Sequence, residues 1–121
     1  MNTHIIVSIL LCTLSCEPTE IRIWDGDTFR IGAHKGEAIR ILNIDAPEIK
    51  GKCAFETDLA QRSKARLASL LKTGKIGIRR RDTDRYGRTL ASVEINGRDA
   101  GDILVSEGLA RTWSGRREPW C

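Results

Sequence analysis

The carboxylates Asp25, Asp27, Asp45 and Glu48 fall within one short stretch of the chain, with Arg40 set in the apolar run Ala38-Ile39-Arg40-Ile41-Leu42 between them. A second arginine, Arg88, closes the motif Asp84-Arg85-Tyr86-Gly87-Arg88. Carboxylate oxygens suit a hard divalent cation such as calcium or magnesium. A further carboxylate can take a proton from water, and paired guanidiniums grip a phosphate bidentately. Together these groups are the components of a centre that hydrolyses a phosphate ester. Each has a plainer reading alone: Asp-Gly-Asp is a common turn, Asp45 before Ala46-Pro47 can simply end a strand, and Tyr-Gly-Arg can be a bend. Arg40, between Ile39 and Ile41, is costly to bury unless it reaches solvent or an acid. Only their joint presence points to chemistry.

The elements that must position them follow from periodicity. Thr19 to Trp24 alternates polar and apolar residues, as a half-buried strand does. Asp25-Gly26 reads as a hairpin turn in which glycine takes a positive φ, and Thr28 to Ile31 returns. A turn over Gly32 to Gly36 leads to a third strand, Glu37 to Ile44, rich in β-branched residues and stopped by Pro47. Asp45 follows Arg40 by five positions, which places them on opposite faces of a regular strand. The chain must therefore bend near Asn43 or Ile44 if both serve one site. Phe55 to Lys72 has a helical period, with Phe55, Leu59, Leu67, Leu70 and Leu71 on one stripe and Arg62, Lys64 and Arg66 off it. Gly74 is expected to end this helix in the left-handed conformation. Strands over Lys75 to Arg80 and Thr89 to Ile95, a turn at Asn96-Gly97, and a short helix over Ala100 to Glu107 capped by Gly108 complete the pattern. Five strands with one long and one short helix predict an α+β fold, mainly β, of the five-stranded Greek-key OB-barrel type. Other small α+β arrangements satisfy the same count.

The 121 residues suffice for one domain, and a monomer is expected. A net charge of +4 favours an anionic partner but does not identify one. No apolar run reaches the roughly 20 residues of a membrane-spanning helix. Ile5 to Leu14 is instead the length of a signal-peptide core, with small residues Thr13 and Ser15 just before Cys16. The expectation is a signal peptide over residues 1–15, a domain over residues 16–121, and a secreted or periplasmic location. A lipid on Cys16 fits less well, because Thr13-Leu14-Ser15 is a poor lipobox. The absence of Lys or Arg before Ile5 leaves a first β-strand as the alternative. No C-x-x-C pair occurs, which argues against a zinc site. In an oxidising compartment Cys53 and Cys121 can bridge the carboxyl terminus to the loop after Glu48, worth about 4 kcal/mol in the chain-entropy model. In a reducing one they remain thiols.

Taken in order, Trp24-Asp25-Gly26-Asp27-Thr28, Ile39-Arg40-Ile41-Leu42 running into Ile44-Asp45-Ala46-Pro47-Glu48, Asp84-Arg85-Tyr86-Gly87-Arg88, and Ala100 to Ala110 resemble the staphylococcal nuclease-like (thermonuclease) family. The resemblance covers about Ile21 to Arg111. It implies an OB-fold barrel that hydrolyses phosphodiester bonds of DNA or RNA with calcium. It further implies that Asp27 and Asp45 are calcium carboxylates and that Ala46, in place of the prototype's threonine, contributes a backbone carbonyl. Arg40 and Arg88 are implied as the phosphate-binding arginines, Glu48 as the general base, and Tyr86 as a nucleotide contact. Two departures stand out. The Ile49 to Ala54 loop is shorter than the prototype's and carries Cys53, and the long carboxyl-terminal helix with its later tyrosines is missing. Trp113 is a candidate to replace some of that stacking.

Arg62, Lys64, Arg66, Arg79, Arg80, Arg81 and Arg85 are candidates for a phosphate track, or for an ordinary solvated face. His4 and His34 receive no role. The competing readings are a non-catalytic OB-fold module that binds nucleic acid, and a small extracellular interaction domain. The second leaves the arginines and Glu48 without a joint purpose.

Overall fold

Alternation along the chain decides which side chains line the barrel. Ile21 and Ile23 in β2 (Cys16–Asp25), Phe29 in β3 (Thr28–Ile31), Ile39 and Ile41 in β4 (Glu37–Ile41), and Ala91, Val93 and Ile95 in β7 (Thr89–Ile95) all point into one core. Each isoleucine or phenylalanine so buried contributes about 1.5–3 kcal/mol. The computed structural model describes residues 5–12, 16–32 and 36–121. Thr13 and Ser15 of the expected leader, His4, His34 and the middle of the Gly32 to Gly36 turn lie outside the described residues.

The main sheet runs β1-β2-β3-β4-β7-β6, where β1 is Ile5–Cys12 and β6 is Ile76–Thr83. Neighbours are antiparallel except β4 and β7, whose parallel pairing brings Arg40 opposite Leu90. The sheet curls until β1 comes against β6, giving an OB-type half-barrel. The five expected strands are β2, β3, β4, β6 and β7. Part of the expected leader, Ile5–Cys12, is paired along β2 as an outer strand. A short β8 (Arg98–Asp99) extends β7 through the Asn96-Gly97 turn, whose φ values of 52° and 82° suit Asn and Gly. A separate two-stranded ribbon joins β5 (Ile44–Asp45) to β9 (Arg111–Thr112).

Helix α1 (Ala54–Thr73) packs on β1 and β2, and α2 (Ala100–Ser106) on β7 and α1. Asp99 caps α2 by accepting the N–H of Asp102 at 2.9 Å, and Gly108, at φ 74°, follows it as expected. Three local expectations are corrected. Phe55, in the first turn of α1, is 61% exposed, whereas Lys64 is buried. Gly74 is extended rather than left-handed. Its role is clearance, since a Cβ there would stand 2.7 Å from Asn96 Nδ2 and 2.8 Å from Ile95 Cγ2. No helix among the described residues is long and apolar enough to cross a membrane.

Candidate active site

The β2–β3 turn carries the first acids, and glycine is needed there for a reason other than the expected positive φ. Gly26 is buried, and a Cβ on it would fall 1.9 Å from Ser63 Oγ and 3.1 Å from the Ala46 Cβ. The turn can therefore press against α1 and the chain after β5 only without a side chain. Asp25 Oδ1 accepts the Asp27 N–H at 3.0 Å, an Asx-type turn. Asp27 is itself buried: Oδ1 accepts the Thr28 hydroxyl at 2.8 Å, and Oδ2 accepts the Ala46 N–H at 2.9 Å. That second bond ties the first acidic turn to Asp45-Ala46. The contact between Ala46 and Asp27 runs through the Ala46 amide.

The bend required between Arg40 and Asp45 is present at Asn43, whose φ is 70°, a left-handed position that asparagine tolerates. Arg40 holds the bend from outside the strand. One terminal nitrogen donates to the Ile41 carbonyl at 2.6 Å and the other to that of Ile44 at 2.9 Å. The first also lies 3.5 Å from Asp27 Oδ2. Asp45 is buried beyond the bend and faces two guanidiniums, Arg111 at 3.7 Å and Arg117 at 3.5 Å.

Glu48 is exposed, with its carboxylate 2.8 Å from Arg117. Its backbone is held by Glu56, the third residue of α1. Glu56 is buried and accepts the N–H groups of Glu48 and Lys52, both at 3.0 Å. Those two bonds, the Lys52 one first, hold its carboxyl below the usual glutamate range. A folded-state pKa below the unfolded one stabilises the fold above the unfolded pKa and is lost as pH falls through the folded value. Glu56→Gln is thus expected to cost about 1–3 kcal/mol at neutral pH, because an amide cannot accept both donors. The melting-temperature gap between variant and wild type should close below the ordinary glutamate range. A gap that stays constant with pH in thermal melts would contradict this account.

The other arginine is set by a tight loop. Asp84 Oδ1 accepts the N–H groups of Tyr86 and Arg88, each at 2.9 Å, and Oδ2 accepts Arg88 Nε at 2.8 Å. Gly87, at φ 82°, allows the return. Arg88 lines a cleft of about 200 Å³ together with Arg40, Asn43, Leu90 and Trp113. The backbone of Trp113 is fixed there by its main-chain N–H, which donates to the Asn43 carbonyl at 2.8 Å. Tyr86 is 69% exposed, with Arg85 and Arg88 against its ring at 5.1 and 5.6 Å.

The arrangement therefore connects Asp27, Arg40, Asp45, Ala46, Glu48 and Arg88, with Tyr86 against Arg88. It also adds groups that spacing did not assign. Asp25 is pushed up to about 8, first by burial, then by the charge of Asp27 and its hydrogen bond, with Glu48 adding to the repulsion. Glu56, at the third position of a helix, had only half of a capping-box signal, since Cys53 stands where Ser or Thr would. Arg111 and Arg117 lay in a stretch with no local pattern. The proposed phosphate track is interrupted: Lys64 is buried beside Asp25 and burial lowers its pKa. Arg66 is bidentate to Glu107 and Arg80 to Glu37, while Arg79 and Arg62 sit 3.6 and 3.7 Å from Glu94 and Asp58. Charged pairing had more to offer these side chains than an open stripe.

A family profile described as staphylococcal nuclease homologue matches residues 38–119. The chain is 34% identical over 97 residues to endonuclease YncB of Bacillus subtilis (strain 168), an alignment covering 74% of this chain and 44% of that protein. It is also 34% identical over 97 residues to the SPbeta prophage-derived endonuclease YokF of the same strain, covering 74% and 32%. Against a micrococcal nuclease of Shigella flexneri it is 33% identical over 100 residues, covering 74% and 54%. It thus spans about a third to a half of the length of these curated relatives.

Proposed function

The chain belongs to the staphylococcal nuclease homologue family, and from that premise we propose that it hydrolyses phosphodiester bonds of DNA or RNA with calcium. The observation that carries the reading is the convergence of Arg40 and Arg88 on one cleft while Arg40 also borders Asp27. One of the two guanidiniums, Arg40, thus adjoins a buried carboxylate. The nuclease names of the relatives support the substrate class.

The donor set fits calcium sparingly. Asp27 and Asp45 offer buried carboxylates linked through the Asp27–Ala46 hydrogen bond, and the Ala46 carbonyl is the third oxygen we assign. No cluster of three or more His, Cys, Asp or Glu at metal-holding spacing occurs among the described residues, so water and substrate oxygens must complete the shell. When bound, calcium supplies Lewis-acid polarisation of a phosphoryl oxygen. Arg40 and Arg88 clamp the phosphate and offset the charge that builds on its oxygens as water attacks. Glu48, on a loop braced by Glu56, takes the proton from that water. Tyr86 and Trp113 offer aromatic faces to the flanking nucleotides.

Plasmid nicking with calcium, then with a chelator in excess, tests the proposal: cleavage in the first and none in the second is expected. Full activity in chelator would remove the metal from the mechanism. Binding without cleavage would favour a non-catalytic nucleic-acid module.

We also propose a secreted or periplasmic location. It is supported by the Cys53–Cys121 disulfide of the structure, whose Cα atoms are 6.1 Å apart, because such bonds persist in oxidising compartments. Intact mass and non-reducing peptide mapping of natively expressed protein should show a start near Cys16 and the bridge. A Met1 start with free thiols would refute it.

A further inference from the structure

The segment after β9 reaches back across the acidic side of the site and lays a guanidinium on it. Arg117 stands 2.8 Å from Glu48, 3.5 Å from Asp45 and 3.8 Å from Glu56. One cation thus bridges a carboxylate assigned to the metal and the one assigned to water. Three anchors hold it there. The Cys53–Cys121 disulfide ties the chain end to the residue that precedes α1. Arg111 donates to the carbonyls of Glu118 and Pro119 at 2.8 and 3.0 Å. The same guanidinium lies over the Trp120 ring at 3.6 Å. Such fixing is more than a surface ion pair needs, since an exposed pair alone is worth little.

We propose that Arg117 is a resident counter-cation of the site, and that the disulfide-anchored strap makes it compete with the divalent ion. Resting on the calcium reading above, this adds a gate: the metal loads as the Arg117 side chain swings off Asp45 and Glu48. The reasoning is electrostatic. A guanidinium within hydrogen-bond reach of Glu48 and close to Asp45 occupies the space between metal ligand and base, and its positive charge opposes a second cation there. Because the bridge keeps the strap in place, only a side-chain rotation separates the two states. The local concentration of Arg117 therefore stays high even when it is displaced. About half of the Arg117 side chain is exposed, so it has solvent to swing into.

Titration calorimetry with calcium chloride, with and without a nucleoside 3′,5′-bisphosphate, tests the gate on the full chain, with thermal melts to establish that each variant folds. Arg117→Gln should tighten calcium binding by about three- to tenfold, the range for losing a partly exposed charge near an acid. Replacing Cys53 and Cys121 together by serine should tighten binding in the Arg117 background and add nothing to Arg117→Gln, the non-additivity expected when two changes act on one contact. Equal, measurable affinity in wild type and Arg117→Gln, or weaker affinity in the variant, would overturn the gate and leave calcium in place. A cysteine effect of the same size in both backgrounds would overturn the role of the strap. No binding to either protein, even with the bisphosphate, would remove calcium and the gate together.

Discussion

Glu48→Gln is expected to lower kcat by about two to four orders of magnitude, the usual cost of losing a general base, with little change in KM. The amide keeps the size of the side chain but cannot accept the proton of an attacking water. Substrate affinity should be nearly unaffected, since a carboxylate has no attraction for phosphate. The loop geometry should survive as well, because it depends on the Glu48 backbone N–H and on Glu56, not on the Glu48 carboxylate. The side-chain partner that is lost is Arg117. Steady-state kinetics on the folded variant decides the matter. Cleavage near the wild-type rate would exclude Glu48 as base.

Arg88→Ala and Arg40→Ala should both depress activity, but in different ways. Asp84 engages Arg88 through Nε, so its terminal nitrogens can act on the phosphate. Their removal should cost about 10²–10³ in kcat, as for other preorganised donors to developing charge, with a smaller effect on KM. Arg40 has a structural task too, since its two terminal nitrogens hold the carbonyls of Ile41 and Ile44. Arg40→Ala should therefore raise KM, lower kcat and reduce stability by about 1–3 kcal/mol, through carbonyls left without their donors. Arg81→Ala is the control. This exposed residue lies outside the site, and its loss should shift only salt-dependent affinity. Wild-type kcat in a folded Arg88→Ala protein would show that the cleft does not hold the scissile phosphate.

Some of this molecule is readable without coordinates, because strands and helices have fixed periods. Ile21, Ile23 and Phe29 alternate with polar neighbours, and Leu59, Leu67, Leu70 and Leu71 recur at helical spacing, so local backbone geometry sorts them to one face. The bend expected near Asn43 or Ile44 follows from the same reasoning: positions five apart in a regular strand face opposite ways, and the left-handed Asn43 resolves it. The proposed site residues were legible as residue types at ordered spacings, since a phosphate and a hard cation call for few kinds of side chain.

Other features are properties of contacts between distant segments, and local pattern is blind to those. Gly26 and Gly74 look like turn residues, yet each is set by what a Cβ would strike, Ser63 in one case and Asn96 in the other. Lys64 has the composition of a solvated helix face but is buried beside Asp25. The Asp25 carboxyl is pushed up because burial and Asp27 act on it together. Arg117, in a stretch with no period at all, reaches Asp45 and Glu48 from a segment where Cys121 closes on Cys53 and Trp120 packs on Arg111. Amino-acid types and spacing determined the barrel and the chemistry it could carry. Which charges meet in the site, and which cation holds its acids, was decided by packing between segments far apart in the chain.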